Sequence, residues 1–449
     1  MTKFNKYTAP KGLSEETIKK ISSRKNEPSW MLNLRLEALS HFLSVPTQKW
    51  GPDISDIDFS QICPYEGLLS SPECKWQDIP EQAKASFEKE KLQETEAKHL
   101  SGLGAQYESE MVYHSLQEEC RKQGVIFLSI EEGLKKHPEI FKKYFGSVVP
   151  MDDNKFSSLN TAFWSGGSFI YVPKGVHVKM PLQTFYRIES AGLGQFERTL
   201  IIADKESFVS YVEGCTAANT PEDSLHSAVV EIVALQGARV RYTTIQNWAK
   251  NVYNLVTKRA VAHKNSLVEW IDGNFGSKVT MKYPCVILQG EGAKTEITSI
   301  ASACGKNQIN DSGAKAIHLA SNTSSRIVSK SISANGGNST YRGLVKIVES
   351  AENCKASVEC DALILDKKSH SNTFPAMDIK NSAQITHEAR VSKVEEEKLF
   401  YLQSRGISAE QAHSMIVGGF IEPFVKLLPM EFAVEMNQLL EKEIKGNAG

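Results

Sequence analysis

The chain has 449 residues, enough for two or three domains. Lysine plus arginine (52) nearly balances aspartate plus glutamate (53), so no global field favours nucleic acid or an anionic membrane. No apolar run nears the ~18 residues of a membrane span, the N-terminus has no apolar leader, and the eight cysteines lack CxxC pairs, which excludes zinc modules and disulfide frameworks and reads as free thiols in a reducing compartment.

Residues 1–150 read as a helical and irregular domain. Ser14 can cap "EETIKKIS", and "MLNLRLEALSHFL" carries apolar residues at helical spacing. Residues 45–85, rich in Pro, Asp, Ser and Cys, read as a long loop. "SLQEECRKQGVIFLSIEEGLKKHPEIFKKYFG" reads as helix, short strand, helix.

From about Asn160 the chain breaks into short alternating β segments, and these repeat. "SFVSY" at Ser207, "ARVRY" at Ala238, "SLVEW" at Ser266, "AKTEI" at Ala293, "SRIVS" at Ser325 and "CKASV" at Cys354 follow one another at offsets of 31, 28, 27, 32 and 29 residues. A small residue or cysteine opens each, just after a turn-like stretch. A period near 30 with short strands predicts a β-solenoid over 151–385, each coil stacking on the last; a β-sandwich with evenly spaced strands is the alternative. Helices return over 386–449. Ser408 and Gln411 form a capping-box pattern, Gly418–Gly419 ends that helix, and "PMEFAVEMNQLLEKEIK" reads as a terminal amphipathic helix that covers the solenoid end or binds a partner.

No GxxxxGK[ST], GxSxG, HExxH or dinucleotide fingerprint occurs, and "SAGLGQFERT" holds only a GxG turn. Three groupings could carry chemistry. In "YVEGCTA", Cys215 follows Gly214 where a strand leaves the sheet, so it is either a buried turn cysteine or a thiol that another protein can reach. Gln246, Trp248 and Lys258 lie on adjacent segments and either face solvent or line a polar passage. In "VECDALILD", Cys360 alternates with Val358, Ala362 and Ile364 as core residues do, while Glu359 and Asp361 face the other way. "THEARVSK" follows about one turn later, so His387 or Glu388, but not both on a regular strand, would share a face with Cys360. Thiolate, imidazole and carboxylate together suit iron or zinc.

The ordered series "FIYVPKGV", "GQFERTLIIAD", "SYVEGCTA", "QNW", "VTKRA", "NSTYRGLVKI", "ECDALIL", "HEARVSK", "LFYLQSRGIS" and "SMIVGGF" closely resembles the SufB/SufD family of the SUF iron–sulfur cluster assembly system, on the side of its SufB-type scaffold subunits. The resemblance implies a right-handed parallel β-helix between helical domains and a non-enzymatic scaffold. It implies a complex with a SufD-type homologous subunit and a SufC-type ABC ATPase docked on the C-terminal helices, with a homodimer also admitted. Sulfur would come from a cysteine desulfurase, with or without a sulfur carrier, and the transient iron–sulfur cluster would pass to apo iron–sulfur proteins. Reduced flavin is admitted as a ligand of the complex, and the cytoplasm, or a plastid stroma after removal of a transit peptide, as the location.

By the same resemblance Cys215 accepts sulfur; Arg187, Gln246, Trp248 and Lys258 attend its passage; and Cys360, with Glu388 and His387, holds the nascent cluster at a partner interface. Thr386 and Glu189 depart from the family pattern, and the clustered N-terminal cysteines of some members are reduced to Cys63 and Cys74. The remaining alternatives are a SufD-like structural subunit and a β-helix carbohydrate enzyme; the absence of an export signal speaks against the second.

Overall fold

Six residues with left-handed backbone set the pitch of the molecule: Glu206, Gly237, Asn265, Gly292, Asn322 and Asn353, with φ between 54° and 72°. Glycine enters this region freely and asparagine at small cost, so the chain can turn sharply at each. Their amides form a ladder from corner to corner: Glu206 N–H donates to Gln236 O, Gly237 to Lys264 O, Asn265 to Glu291 O, and Asn322 to Glu352 O, at 2.8–2.9 Å. Immediately after them stand Ser207, Ala238, Ser266, Ala293, Thr323 and Cys354, all buried. These are the recurring small residues of the sequence, with one correction. The pairing Lys294↔Ser324 makes Thr323, not Ser325, the equivalent of Ala293, two residues earlier than the spacing suggested.

The structure, a computed structural model, describes residues 6–68, 76, 79, 81–89, 99–394, 396–428, 433 and 436. It is a parallel β-solenoid of about eight turns with helices towards both termini. One sheet runs in order through Ala383–Lys393, Cys354–Ile364, Ser324–Ser333, Lys294–Ala303, Leu267–Gly276, Arg239–Trp248, Phe208–Ala217, Leu182–Ile188 and Gly102–Tyr107. The opposing sheet runs from His370–Ile379 back to Ser168–Val172. The sheets extend past the expected 151–385 at both ends. Gly102–Tyr107 pairs parallel with Leu182–Ile188, and the last strand continues to Lys393.

The two ends differ. Antiparallel strands close the first: Glu110–His114 beside Gly102–Tyr107, and Ile126–Ser129 beside Ser168–Val172. At the other end, among the described residues, no strand pairs beyond His370–Ile379 and Ala383–Lys393, and Phe374 is 52% and Val391 55% exposed.

The helices follow their signals. Ser14 caps Glu15–Lys25, accepting from Thr17 N–H, and Ser29–Ser44 follows. The 45–85 loop contains a short strand, Glu66–Leu68, and gives way to a helix at Glu81. The Ser408–Gln411 capping box is formed, but the helix does not stop at Gly418–Gly419; it runs Ala409–Val425, with Pro423 inside. Each mid-helix glycine costs about 1 kcal/mol against alanine. Val417, Ile421 and Phe424 repay it by packing with Ile245, Phe275, Ile300, Ile332 and Leu363 of the first sheet's outer face. This helix therefore lies on the flank of the solenoid, not over its end. The amphipathic helix expected after it lies outside the described residues, apart from Ala433 and Met436.

Candidate functional site

Parallel coils stack identical strand positions above one another, so side chains about 30 residues apart form rows. One inward row of the first sheet reads Glu213, Thr244, Asp272, Ser299, Ser329, Cys360. All six are buried. At about 4.8 Å per strand the row spans roughly 24 Å. Thr244 Oγ1 donates to Glu213 Oε1 at 3.2 Å, and Ser299 Oγ donates to Ser329 Oγ at 3.2 Å. Asn254, Thr280, Asn310 and Ser339 form a buried row on the opposing sheet. The Asn310 amide has no protein hydrogen-bond partner at either atom. Buried amides of this kind take water as partner. A polar file thus runs along an interior that the strand pattern alone would fill with hydrocarbon.

Cys215 sits at one end of it. The thiol lies two positions from Glu213 on the same face, 3.6 Å from Glu213 Oε1, and Gln246 Nε2 is 4.0 Å from the sulfur. Glu213 also accepts from Tyr242 Oη and stands 3.9 Å from Lys258 Nζ. Lys258 reaches Asp272 at 3.4 Å, and Lys282 reaches Asp272 at 3.0 Å and Gln246 Oε1 at 2.9 Å. Burial raises the Cys215 thiol well above its usual range; Glu213 and Glu197 add to this, and Lys258 and Lys282 oppose it. Burial also works to raise Asp272, but Lys282 and Lys258 outweigh it and hold the carboxyl below its usual value. Burial pushes Lys282 down to about 8. Cys215 is thus a protonated thiol at neutral pH, with the Glu213 carboxylate placed to accept its proton.

Of the two readings of Cys215 the buried one holds, and only its place at a turn changes. It is inside the strand Phe208–Ala217, not at a reversal, and it is fully buried. No other protein can touch it in this state. It belongs to a hydrophobic cluster that also takes in Ile54, Ile57, Ile62 and Cys63 of the N-terminal segment. Gln246, Trp248 and Lys258 all face the same interior; the Trp248 ring lies 4.5 Å from the His226 ring, tilted by 38°. Arg187 does not. It registers with Thr216, one position from Cys215, and so lies on the outer face, donating to Thr216 Oγ1 at 3.0 Å and to Glu189 Oε1 at 3.2 Å. Glu189 in turn accepts from Ser86 Oγ and from Tyr107 Oη at 2.9 Å, tying down the N-terminal segment.

At the far end, Cys360 is buried beside Tyr341, and burial pushes its thiol up to about 12. The adjacent carboxylates do face away, Asp361 pairing with Lys330 at 3.0 Å. In the last strand His387 registers with Val358 and Glu388 with Glu359. His387 therefore shares the Cys360 face, two positions along, whereas Glu388 lies on the other face with Arg390 at 2.5 Å. Directly above Cys360 stands Ala389. The three residues do not converge on one point. All seven described cysteines are free and buried; Cys74 lies outside the described residues. Sequence reasoning missed Glu213, Glu197, Asp272, His226 and Lys282. The signal for Glu213 was present: it is two residues before Cys215, hence on the same strand face.

The fold and these groups define the class of protein: a parallel β-solenoid with two buried thiols on a polar interior face. The sequence matches the SUF system FeS cluster assembly SufBD core domain over residues 186–420 and the SufBD protein N-terminal region over 80–184. The chain belongs to the SufB/SufD family of iron–sulfur cluster assembly proteins. It is 54% identical over 444 residues to the iron–sulfur cluster assembly protein SufB of Bacillus subtilis, covering 99% of this chain and 95% of that protein. SufBD family proteins of Staphylococcus saprophyticus and Staphylococcus epidermidis are likewise 54% identical over 99% of this chain and 95% of theirs. No helix among the described residues is long and apolar enough to cross a membrane.

Proposed function

We propose that this chain is a non-enzymatic, cytosolic scaffold that takes sulfur at Cys215, conducts it through the solenoid interior and assembles a cluster at Cys360. The observation that carries this is the inward row from Glu213 to Cys360, which links the surroundings of the two thiols through buried polar groups. Sulfur transfer begins when the Cys215 thiolate attacks the sulfane sulfur of a donor persulfide; the new S–S bond forms on Cys215 and the donor leaves as its thiolate. The Cys215 proton leaves beforehand. Because the thiol is buried, the surrounding structure must open for the donor, a cysteine desulfurase or its carrier.

At the far end iron replaces the Cys360 proton, which brings this poorly acidic thiol into its thiolate form. His387 supplies an imidazole on the same face, and Glu388 holds iron on the outer face of the edge strand. The open edge strands, with Phe374 and Val391 exposed, receive a SufD-type subunit or a second copy of this chain. The exposed aromatic side chains of the helix Glu396–Gln403, with Phe400 71% exposed, offer a SufC-type ATPase its surface. Apo iron–sulfur proteins take the finished cluster.

The test is anaerobic reconstitution with the partner subunits. Cys360→Ala should assemble the complex yet retain no stable cluster, and Cys215→Ala should lose persulfide labelling by a desulfurase. Equal iron and labile sulfide in the Cys360 variant, or unchanged labelling in the Cys215 variant, refutes the assignment.

A further inference from the structure

Glu197, Glu213 and Cys215 are buried with one ligand atom each inside a sphere where no two are more than 4.8 Å apart. The decisive neighbour is His226, whose Nε2 lies 3.2 Å from Glu197 Oε1. A chain of forced donors fixes its tautomer. Lys282 can only donate, so the Gln246 atom it meets at 2.9 Å is the carbonyl oxygen. That oxygen also contacts the Asn254 side chain at 2.9 Å, which must present its NH2 there. Asn254 then turns its own oxygen to His226 Nδ1 at 2.7 Å, and Nδ1 carries the proton. In the neutral ring Nε2 is therefore a bare lone pair aimed at a carboxylate. Consistent with this, His226 Nε2 and both oxygens of Glu197 are buried without a hydrogen-bond partner. Two lone-pair groups facing each other in a dry interior need a proton or a metal cation between them.

We infer that Glu197, Glu213, Cys215 and His226 form a binding site for one first-row divalent cation, inside the solenoid and distinct from the position of Cys360. The ligand set of imidazole nitrogen, two carboxylate oxygens and thiolate suits borderline ions such as Fe2+, Zn2+ or Co2+. Metal–ligand distances near 2.0–2.3 Å require Glu197, Glu213 and Cys215 to close in by about 1 Å, and His226, which lies outside their common 4.8 Å, to move further. Outer contacts are in place: Asn254 orients the imidazole, Tyr242 and Thr244 hold Glu213, and Lys258 offsets the surplus negative charge. Binding replaces the Cys215 thiol proton, which leaves to solvent, and no electron is transferred. The site does not depend on Cys215 accepting sulfur.

Co2+ added anaerobically to the full apo chain and equilibrated tests it. The expected result is one equivalent bound, with a thiolate-to-cobalt charge-transfer absorption that survives Cys360→Ala and disappears in Cys215→Ser. Glu197→Gln should weaken affinity at least about tenfold. No saturable absorption, or a band that persists in Cys215→Ser, overturns the site. If the variants lose cooperative melting, cobalt-edge anomalous scattering from wild-type crystals decides: a peak beside Cys215 Sγ supports the site, and no peak there overturns it.

Discussion

Replacing Asp272 by asparagine removes the one carboxylate that lies between two buried ammonium groups, 3.4 Å from Lys258 and 3.0 Å from Lys282. The shape is kept and the charge is lost, so the perturbation is electrostatic. Lys282 then loses its carboxylate partner and Lys258 keeps only Glu213 at 3.9 Å; breaking a buried pair in this way costs about 3–5 kcal/mol. Lys282 gives the sign of the pH dependence. Its folded pKa of about 8 lies below the ordinary lysine value of 10.5, so between those values the unfolded chain binds more protons and stability rises with pH. Without Asp272 that pKa falls further, and the rise begins at lower pH. Each unit of further depression is worth about 1.4 kcal/mol. Denaturant unfolding followed by tryptophan fluorescence, with Trp270 and Trp248 beside the network, should show the full deficit at pH 7. The gap to wild type should shrink by about 1 kcal/mol or more at pH 9. A deficit below about 1 kcal/mol at pH 7, or a gap that widens with pH, would refute the reasoning.

Glu206 is the one corner of the six that is neither Gly nor Asn, at φ 58°; Glu206→Gly should raise stability by about 0.5–1 kcal/mol, seen as a higher Tm, and an unchanged or lower Tm counts against the corner argument. Ile421→Ala beneath the flank helix should cost about 2–5 kcal/mol and speed proteolysis around Ala409–Val425, if that helix is held by packing against its glycines' preference. Because the seven described cysteines are buried, those seven should react with an aromatic disulfide reagent only slowly in the native protein and should all appear at once in denaturant; fast labelling of Cys215 in the native state would disprove its burial.

The solenoid was legible because its signals are local. A left-handed corner favours Gly or Asn, and the next position takes a small side chain or cysteine, so both recur in the text of the chain at five of the six corners. The register was less so. Ser325 resembles the other corner residues as well as Thr323 does, and only hydrogen bonding between coils chooses the pairing two residues earlier. Helix ends show the same limit: Gly418–Gly419 is a stop by propensity, and the outer face of the sheet overrides it.

The candidate site divides along the same line. Strand alternation alone was enough to put Cys360 with Val358 and to turn Glu359 and Asp361 away, since side-chain direction has a period of two. It also required His387 and Glu388 to part, and register then decided that His387 shares the face of Cys360. What no spacing could disclose is the company of Cys215. Glu197 and His226 come from the opposing sheet, and Asp272 and Lys282 from later coils; their approach depends on how coils stack and sheets face. The sequence alone determined the repeat, the corners and the faces, because these follow from backbone geometry within a few residues. Only the tertiary structure decided which buried charges meet, because parallel stacking joins positions about 30 residues apart through contacts that carry no local pattern.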